Sequence, residues 1–215
     1  VIDALSLEQA DLGDLVEDTS DDNISQTTQG KVQACTNQGP VAGDINVGGI
    51  AGAMAIEYDL DPEDDRASGK RSLNTRYETK AVIQNCLSDA EITAKKNCVG
   101  AVVGRMDLGT VLESVGYGRM NSQSGDYVGG IAGLSDATVR KCFARCTLAG
   151  RDYIGGIVGS GKNIRACYAL VDIPQASGCI GAIAGERIAE AKVAENYFVD
   201  RGWAGIGGIS YAGLA

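Results

Sequence analysis

The sequence predicts an all-β fold, a right-handed parallel β-helix (β-solenoid) of about six coils, and three observations carry that expectation. The first is a glycine block that recurs as "NVGGIAG" (46–52), "CVGAVVG" (98–104), "DYVGGIAG" (126–133), "YIGGIVG" (153–159), "CIGAIAG" (179–185) and a worn "GIGGIS" (205–210). Aligned on Gly48, Gly100, Gly129, Gly155, Gly181 and Gly207, the blocks are spaced 52, 29, 26, 26 and 26 residues apart. The second is a companion piece upstream of each block: "VQAC" (32–35), "VIQNC" (82–86), "VLES" (111–114), "VRKC" (139–142), "IRAC" (164–167) and "VAEN" (193–196). The third is composition. The 215 residues are 44% hydrophobic but 5% aromatic, with 30 Gly against 3 Pro, so the core must be thin layers of Val, Ile, Ala and Gly.

A period of 20–50 residues marks a solenoid, a propeller or an array. No Leu ladder of a leucine-rich repeat is present, the units are too broken by Gly for helical repeats, and a propeller blade needs about 40 residues. Stacked parallel coils about 4.8 Å apart remain. Within "VGGIAG" the apolar Val128 and Ile131 stand three apart, which strict alternation cannot place on one face. A bend at the Gly pair would turn both inward, with Gly tolerating the φ > 0 of a sharp corner. The competing reading is a straight strand whose glycine column lets a neighbouring backbone or Tyr ring come close. The bend is the preferred reading.

The blocks "YVGGIAG" and "YIGGIVG", preceded by "CFA" and "CYA" pieces, resemble the GLUG motif repeats of bacterial cell-surface and secreted proteins. The resemblance covers about residues 32–210, and the last copy departs from it at Ser210 and Tyr211. It implies an extracellular, cell-surface location and an adhesive or scaffolding setting, with a host or cell-wall glycan or protein as partner. It implies no catalytic residues.

Residues 1–31 form an acidic segment of net charge −7, which leaves −2 of the chain's −9 for the repeat region 32–215. Leu5, Leu12 and Leu15, spaced by acids, suggest a helix over 1–26, as a cap on the first coil or the end of an upstream coiled coil. Starting at Val1, the sequence reads as a fragment of a longer chain. A nearly neutral body offers nothing to a phosphate backbone, so nucleic acid is not an expected partner. The chain has no His, which removes Ser-His-Asp and Cys-His catalysis and His-ligated metal. No apolar run reaches the roughly 18 residues of a membrane-spanning helix.

The doubled first spacing places an insertion of about 26 residues within 53–81, and insertions of this kind map to loops on one face. Its acidic half (Glu57, Asp59, Asp61, Glu63, Asp64, Asp65) precedes a basic half (Arg66, Lys70, Arg71, Arg76, Lys80). Long loops are often functional, so Tyr58, Asp59, Asp61, Glu63, Asp64, Asp65, Arg66, Lys70, Arg71 and Arg76 are the expected partner-binding residues. "DLDPEDD" (59–65) could offer calcium its oxygen ligands, but the EF-hand pattern is absent and a solvated acidic loop is expected. "GIVGSGKN" (156–163) fits a phosphate loop except that Asn163 replaces the Ser or Thr that holds magnesium, and its glycines already belong to the repeat. No cofactor or metal is expected.

Cys35, Cys86, Cys142 and Cys167 share one repeat position, filled by Ser114 and Asn196 in the other coils, and Cys98 and Cys179 share a second. Stacked coils would bring Cα atoms within disulfide range while holding Cβ atoms wider than the usual 3.8 Å or so, so mostly free, buried thiols are expected. Carbohydrate cleavage, known on parallel β-helices, would need paired carboxylates in a groove. No column of acids recurs outside the insertion, Asp126 and Asp152 suit turns, and few aromatics are present to stack on sugars. The expectation is a non-catalytic spacer or adhesive module, with a carbohydrate-binding or polysaccharide-cleaving β-helix as the alternative.

Overall fold

The computed structural model describes residues 16–56, 77–175 and 177–208. It is an all-β solenoid of parallel, in-register strands, with no helix among the described residues. Each coil has three faces. The first face is a column of two-residue strands: Val47–Gly48, Val99–Gly100, Val128–Gly129, Ile154–Gly155 and Ile180–Gly181. Five such strands stack, so about four full turns separate the first from the last. The second face runs through Ala51–Met54, Val103–Met106, Ala132–Arg140, Val158–Arg165 and Ala184–Ala194. Lys31–Gln33, Val82–Gln84 and Thr110–Leu112 extend its later half. The third face holds Leu87–Ala94, Val115–Ser122 and Phe143–Ala149, flanked by shorter strands in the end coils.

Inside, like residues stack on like. Val99, Val128 and Ile154 form one fully buried column, Val111, Val139 and Ile164 a second, and Ile92, Met120 and Leu148 a third. Period-2 burial along Leu87–Ala94 sends Ser88, Ala90, Ile92 and Ala94 inward. Burying each large side chain contributes about 1.5–3 kcal/mol, and repetition turns that into a continuous core.

The corner between the first and second faces lies at the glycine block, where Val128 and Ile131 are both fully buried on either side of a bend. The bend is as expected, but its cause is not. No Gly of the pairs 48–49, 129–130 or 155–156 has positive φ. A Cβ on Gly129 would strike the carbonyl O of Ala132, and one on Gly130 would lie 2.6 Å from the Cβ of Ala144. Close approach of backbone, rather than left-handed conformation, demands glycine here. Left-handed residues instead turn the other two corners and are mostly not glycine. Asn46, Cys98, Tyr127 and Tyr153 turn one (φ 51 to 67°), and Ala34, Asn85, Glu113, Lys141, Ala166 and Glu195 the other (φ 51 to 57°).

The expected sixth coil is partial. Ile206 bridges to Ala184, and the Ala182 and Ile183 amides donate to Ala204 and Gly205. That register stacks Gly207 on Gly185, the block's last glycine, and not on Gly181. The last coil reaches this corner 22 residues after the one before it instead of 26, and a motif alignment cannot register that shortcut.

The expected N-terminal helix over 1–26 does not include residues 16–26. Residues 1–15 lie outside the described residues, but Val16–Asp18 is a strand, paired in parallel with Tyr77–Thr79, and turns follow it. Asp18 accepts from the Ser20 and Gly109 amides (2.9 and 2.7 Å), Asp21 accepts from the Thr110 and Thr138 hydroxyls (2.8 and 3.1 Å), and Ile24 packs on Val82 and Leu112. A helix would aim these side chains in several directions; a short strand followed by turns lays them across three coils of the second face.

Candidate functional site

All ten residues expected to bind a partner, Tyr58 through Arg76, lie outside the described residues, as does the calcium candidate 59–65. What is described is the corner that carries the insertion. The same point of the second face holds every irregularity of that sheet: three residues between Met106 and Thr110, a register shift between Ser135 and Thr138, and a wider one between Arg187 and Lys192. The acidic strap crosses the coils at this corner.

The third face presents a different feature, built from register alone. Val115, Phe143, Tyr168 and Tyr197 occupy one outward column. Tyr168 and Tyr197 stack with centroids 5.2 Å apart and an interplanar angle of 16°, and Tyr117 meets Phe143 edge-on at 6.0 Å. Tyr168 and Tyr197 are 53% and 59% exposed, the two most exposed aromatic side chains among the described residues. On the same face, in the earlier coils, lies an open depression of about 570 Å³, lined by Gln38, Asp89, Glu91, Arg119 and Thr147. Gly118, with φ 94° and a Cβ position blocked by the carbonyl O of Ala90, sits at its floor. Carboxylates, a guanidinium and amide or hydroxyl groups thus converge on the face that also carries the aromatic ladder. Sequence reasoning counted few aromatics and missed that the register collects four of them on one face. The signal was present in "CFA", "CYA" and "NYF", which put a ring one residue past the ladder position.

The remaining candidates resolve into architecture. Asp126 forms a two-pronged ion pair with Arg151 (2.9 and 2.6 Å), and Asp152 accepts from the Tyr153 and Cys179 amides (2.8 and 2.6 Å). Both carboxylates serve turns between the third and first faces. The phosphate-loop lookalike 156–163 runs into the strand Val158–Arg165, with no helix behind it to aim a dipole at phosphate. No group of three or more metal-ligating side chains occurs among the described residues.

The seven cysteines are free thiols. Cys86, Cys142 and Cys167 are buried in the ladder as expected, whereas Cys35, in the first partial coil, is exposed. The thiols of Cys142 and Cys167 donate to carbonyls of their own coil (3.3 Å each) and of the preceding coil (3.7 Å each). Ser114 and Asn196 fit the ladder because they also bond backbone: Ser114 accepts from the Cys86 amide (3.2 Å) and Asn196 from the Cys167 amide (2.9 Å). Burial pushes the Cys98 thiol up to about 11 and the Cys146 thiol up to about 12, so neither is a nucleophile at neutral pH.

No helix among the described residues is long and apolar enough to cross a membrane. No family model matches the chain, and neither a curated protein nor a solved structure matches it.

Proposed function

We propose that the chain is a non-catalytic spacer and adhesive module of an extracellular, cell-surface protein, in which the solenoid holds a binding face and the 53–81 insertion in fixed relation. The observation that supports this reading best is that one face carries both the aromatic ladder of Phe143, Tyr168 and Tyr197 and, in earlier coils, the polar depression at Asp89, Glu91 and Arg119. Exposed aromatic rings flanked by polar and charged groups are the usual make-up of a recognition surface. The resemblance of the glycine blocks to GLUG repeats supports the surface setting. A host or cell-wall glycan or protein is the partner that fits such a setting.

The alternative, a carbohydrate-binding or polysaccharide-cleaving β-helix, draws on the same depression, where Asp89 and Glu91 share one strand with Arg119 on the next. One experiment separates the readings. The purified chain is applied to an array of cell-wall polysaccharides and host glycans, and reducing-end release is measured in parallel. The module reading expects retention on an array feature without product release. It also expects at least a tenfold loss of retention in Tyr168→Ala/Tyr197→Ala, and none in Tyr127→Ala, whose ring lies on a different corner. Product release lost in Asp89→Asn or Glu91→Gln would replace the module reading with the enzymatic one.

A further inference from the structure

The ladder position is occupied, coil by coil, by Cys35, Cys86, Ser114, Cys142, Cys167 and Asn196, so Ser114 divides four thiols into two pairs of neighbours. The two pairs share register but not surroundings. Cys142 and Cys167 are fully buried, with coils stacked on both sides. Cys35 is exposed, and its coil is the outermost: Lys31–Gln33 and Thr36–Asn37 are the edge strands of their sheets. The Cys35 carbonyl accepts from the Leu87 amide at 2.9 Å, which fixes the two cysteines opposite each other. The Cys86 thiol points toward the Cys35 coil, reaching the carbonyl O of Val32 at 3.9 Å.

We infer that Cys35 and Cys86 are a thiol–disulfide pair that staples the first partial coil to the next, with Cys35 as the accessible thiol and Cys86 as the resolving one. Neighbouring parallel strands stand about 4.8 Å apart, inside the Cα window of a disulfide, and what is lacking is a closer approach of the Cβ atoms. Between clamped coils that approach strains both neighbours. An edge coil with no strand stacked outside it among the described residues can tilt inward, so only the outer pair can close.

The oxidant is a small-molecule disulfide such as oxidised glutathione. The Cys35 thiolate attacks one glutathione sulfur, the S–S bond breaks, and one glutathione thiolate leaves. Cys86 then loses its proton to solvent and attacks the Cys35 sulfur, and the second glutathione thiolate leaves. The chain gives up two electrons and two protons, and one oxidised glutathione becomes two reduced ones. The closed bond spans the whole 53–81 insertion, so oxidation tethers the base of that loop without touching it. The inference is independent of the proposed adhesive role.

The test treats the full chain with oxidised glutathione at pH 8, alkylates remaining thiols after denaturation, and maps tryptic peptides by mass spectrometry. The expected product is a disulfide between the peptides 32–66 and 81–95, with the other five cysteines alkylated. Cys86→Ser is expected to stop at a glutathione adduct on Cys35, Cys35→Ser to give neither product, and Ser114→Ala to leave the Cys35–Cys86 link intact. The oxidised chain should also melt at a higher temperature than the reduced one. A wild-type chain that stops at the Cys35 adduct, that joins Cys142 to Cys167 instead, or that keeps seven free thiols overturns the inference.

Discussion

Ala166 and Lys141 hold φ of 53°, a left-handed conformation that costs an L-residue about 1–2 kcal/mol and that glycine adopts freely. The same corner repeats in six coils and only Asn85, among its residues, is a type that tolerates it well. Ala166→Gly is therefore expected to stabilise the chain by about 1 kcal/mol, read as a higher urea midpoint at unchanged slope. The opposite holds at Gly130, where the Cβ of Ala144 and the carbonyl of Gly156 leave no room. Gly130→Ala is expected to destabilise by about 2–3 kcal/mol, since the neighbours are backbone and a stacked Ala that cannot step aside. The buried thiols set an alkaline limit. Burial holds Cys98 protonated up to about 11, whereas in the unfolded chain it ionises near 9. Below pH 9 both states keep the proton; above it the unfolded state binds fewer protons, so stability falls as pH rises. Between pH 9 and 11 the loss from Cys98 should reach roughly 2–3 kcal/mol at about 1.4 kcal/mol per unit, and Cys98→Ser should flatten that slope in denaturation measured across pH.

At the scale of elements, the strap 16–28 and the strand 77–79 make the insertion corner a composite of two distant segments. Its links to the coils include Asp18 on the Gly109 amide, Asp21 on Thr110, Thr138 and Arg140, Ser20 on the Ala81 amide, and Lys80 and Lys31 on the carbonyls of Asp22 and Ile24. A hydrogen bond to a charged group contributes about 1.5–3 kcal/mol. Asp18→Ala is expected to speed hydrogen exchange at Gly109 by at least tenfold while leaving the amide of Val139 in the core unchanged, because it opens the strap and not the solenoid. The helix expected over 1–26 does not run through residues 16–26, where a strand and turns stand instead. The described part of that segment takes its shape from the carboxylate-accepting corner it lies against, and tertiary partners override a weak local pattern.

At the scale of the molecule, each coil is stable only through its neighbours, so damage to one coil should propagate along the rod. Ile131, fully buried in the central coil, is the place to test this: Ile131→Ala is expected to cost about 2–5 kcal/mol. Ile24→Ala should cost less, because Ile24 belongs only to the small cluster with Val82 and Leu112. Equilibrium unfolding of the two variants gives the comparison.

The repeat architecture was legible because its signal is redundant. Glycine blocks at a 26-residue spacing, Val and Ile three apart across a bend, and a column of Cys, Ser and Asn each say the same thing in several coils, and each maps onto a stacked column of the structure. Wherever a feature occurs once, chain order stops being informative. The register of Gly207 on Gly185, the strand and turns of residues 16–26, the exposure of Cys35 on an edge coil and the aromatic column on the face of the Asp89 depression all depend on which coil lies above and which below. Composition and period determine that this chain must coil, because only stacking gives its small apolar residues a core. The surfaces it presents were decided by tertiary register, which sets residues 22 or more apart side by side at a single strand spacing.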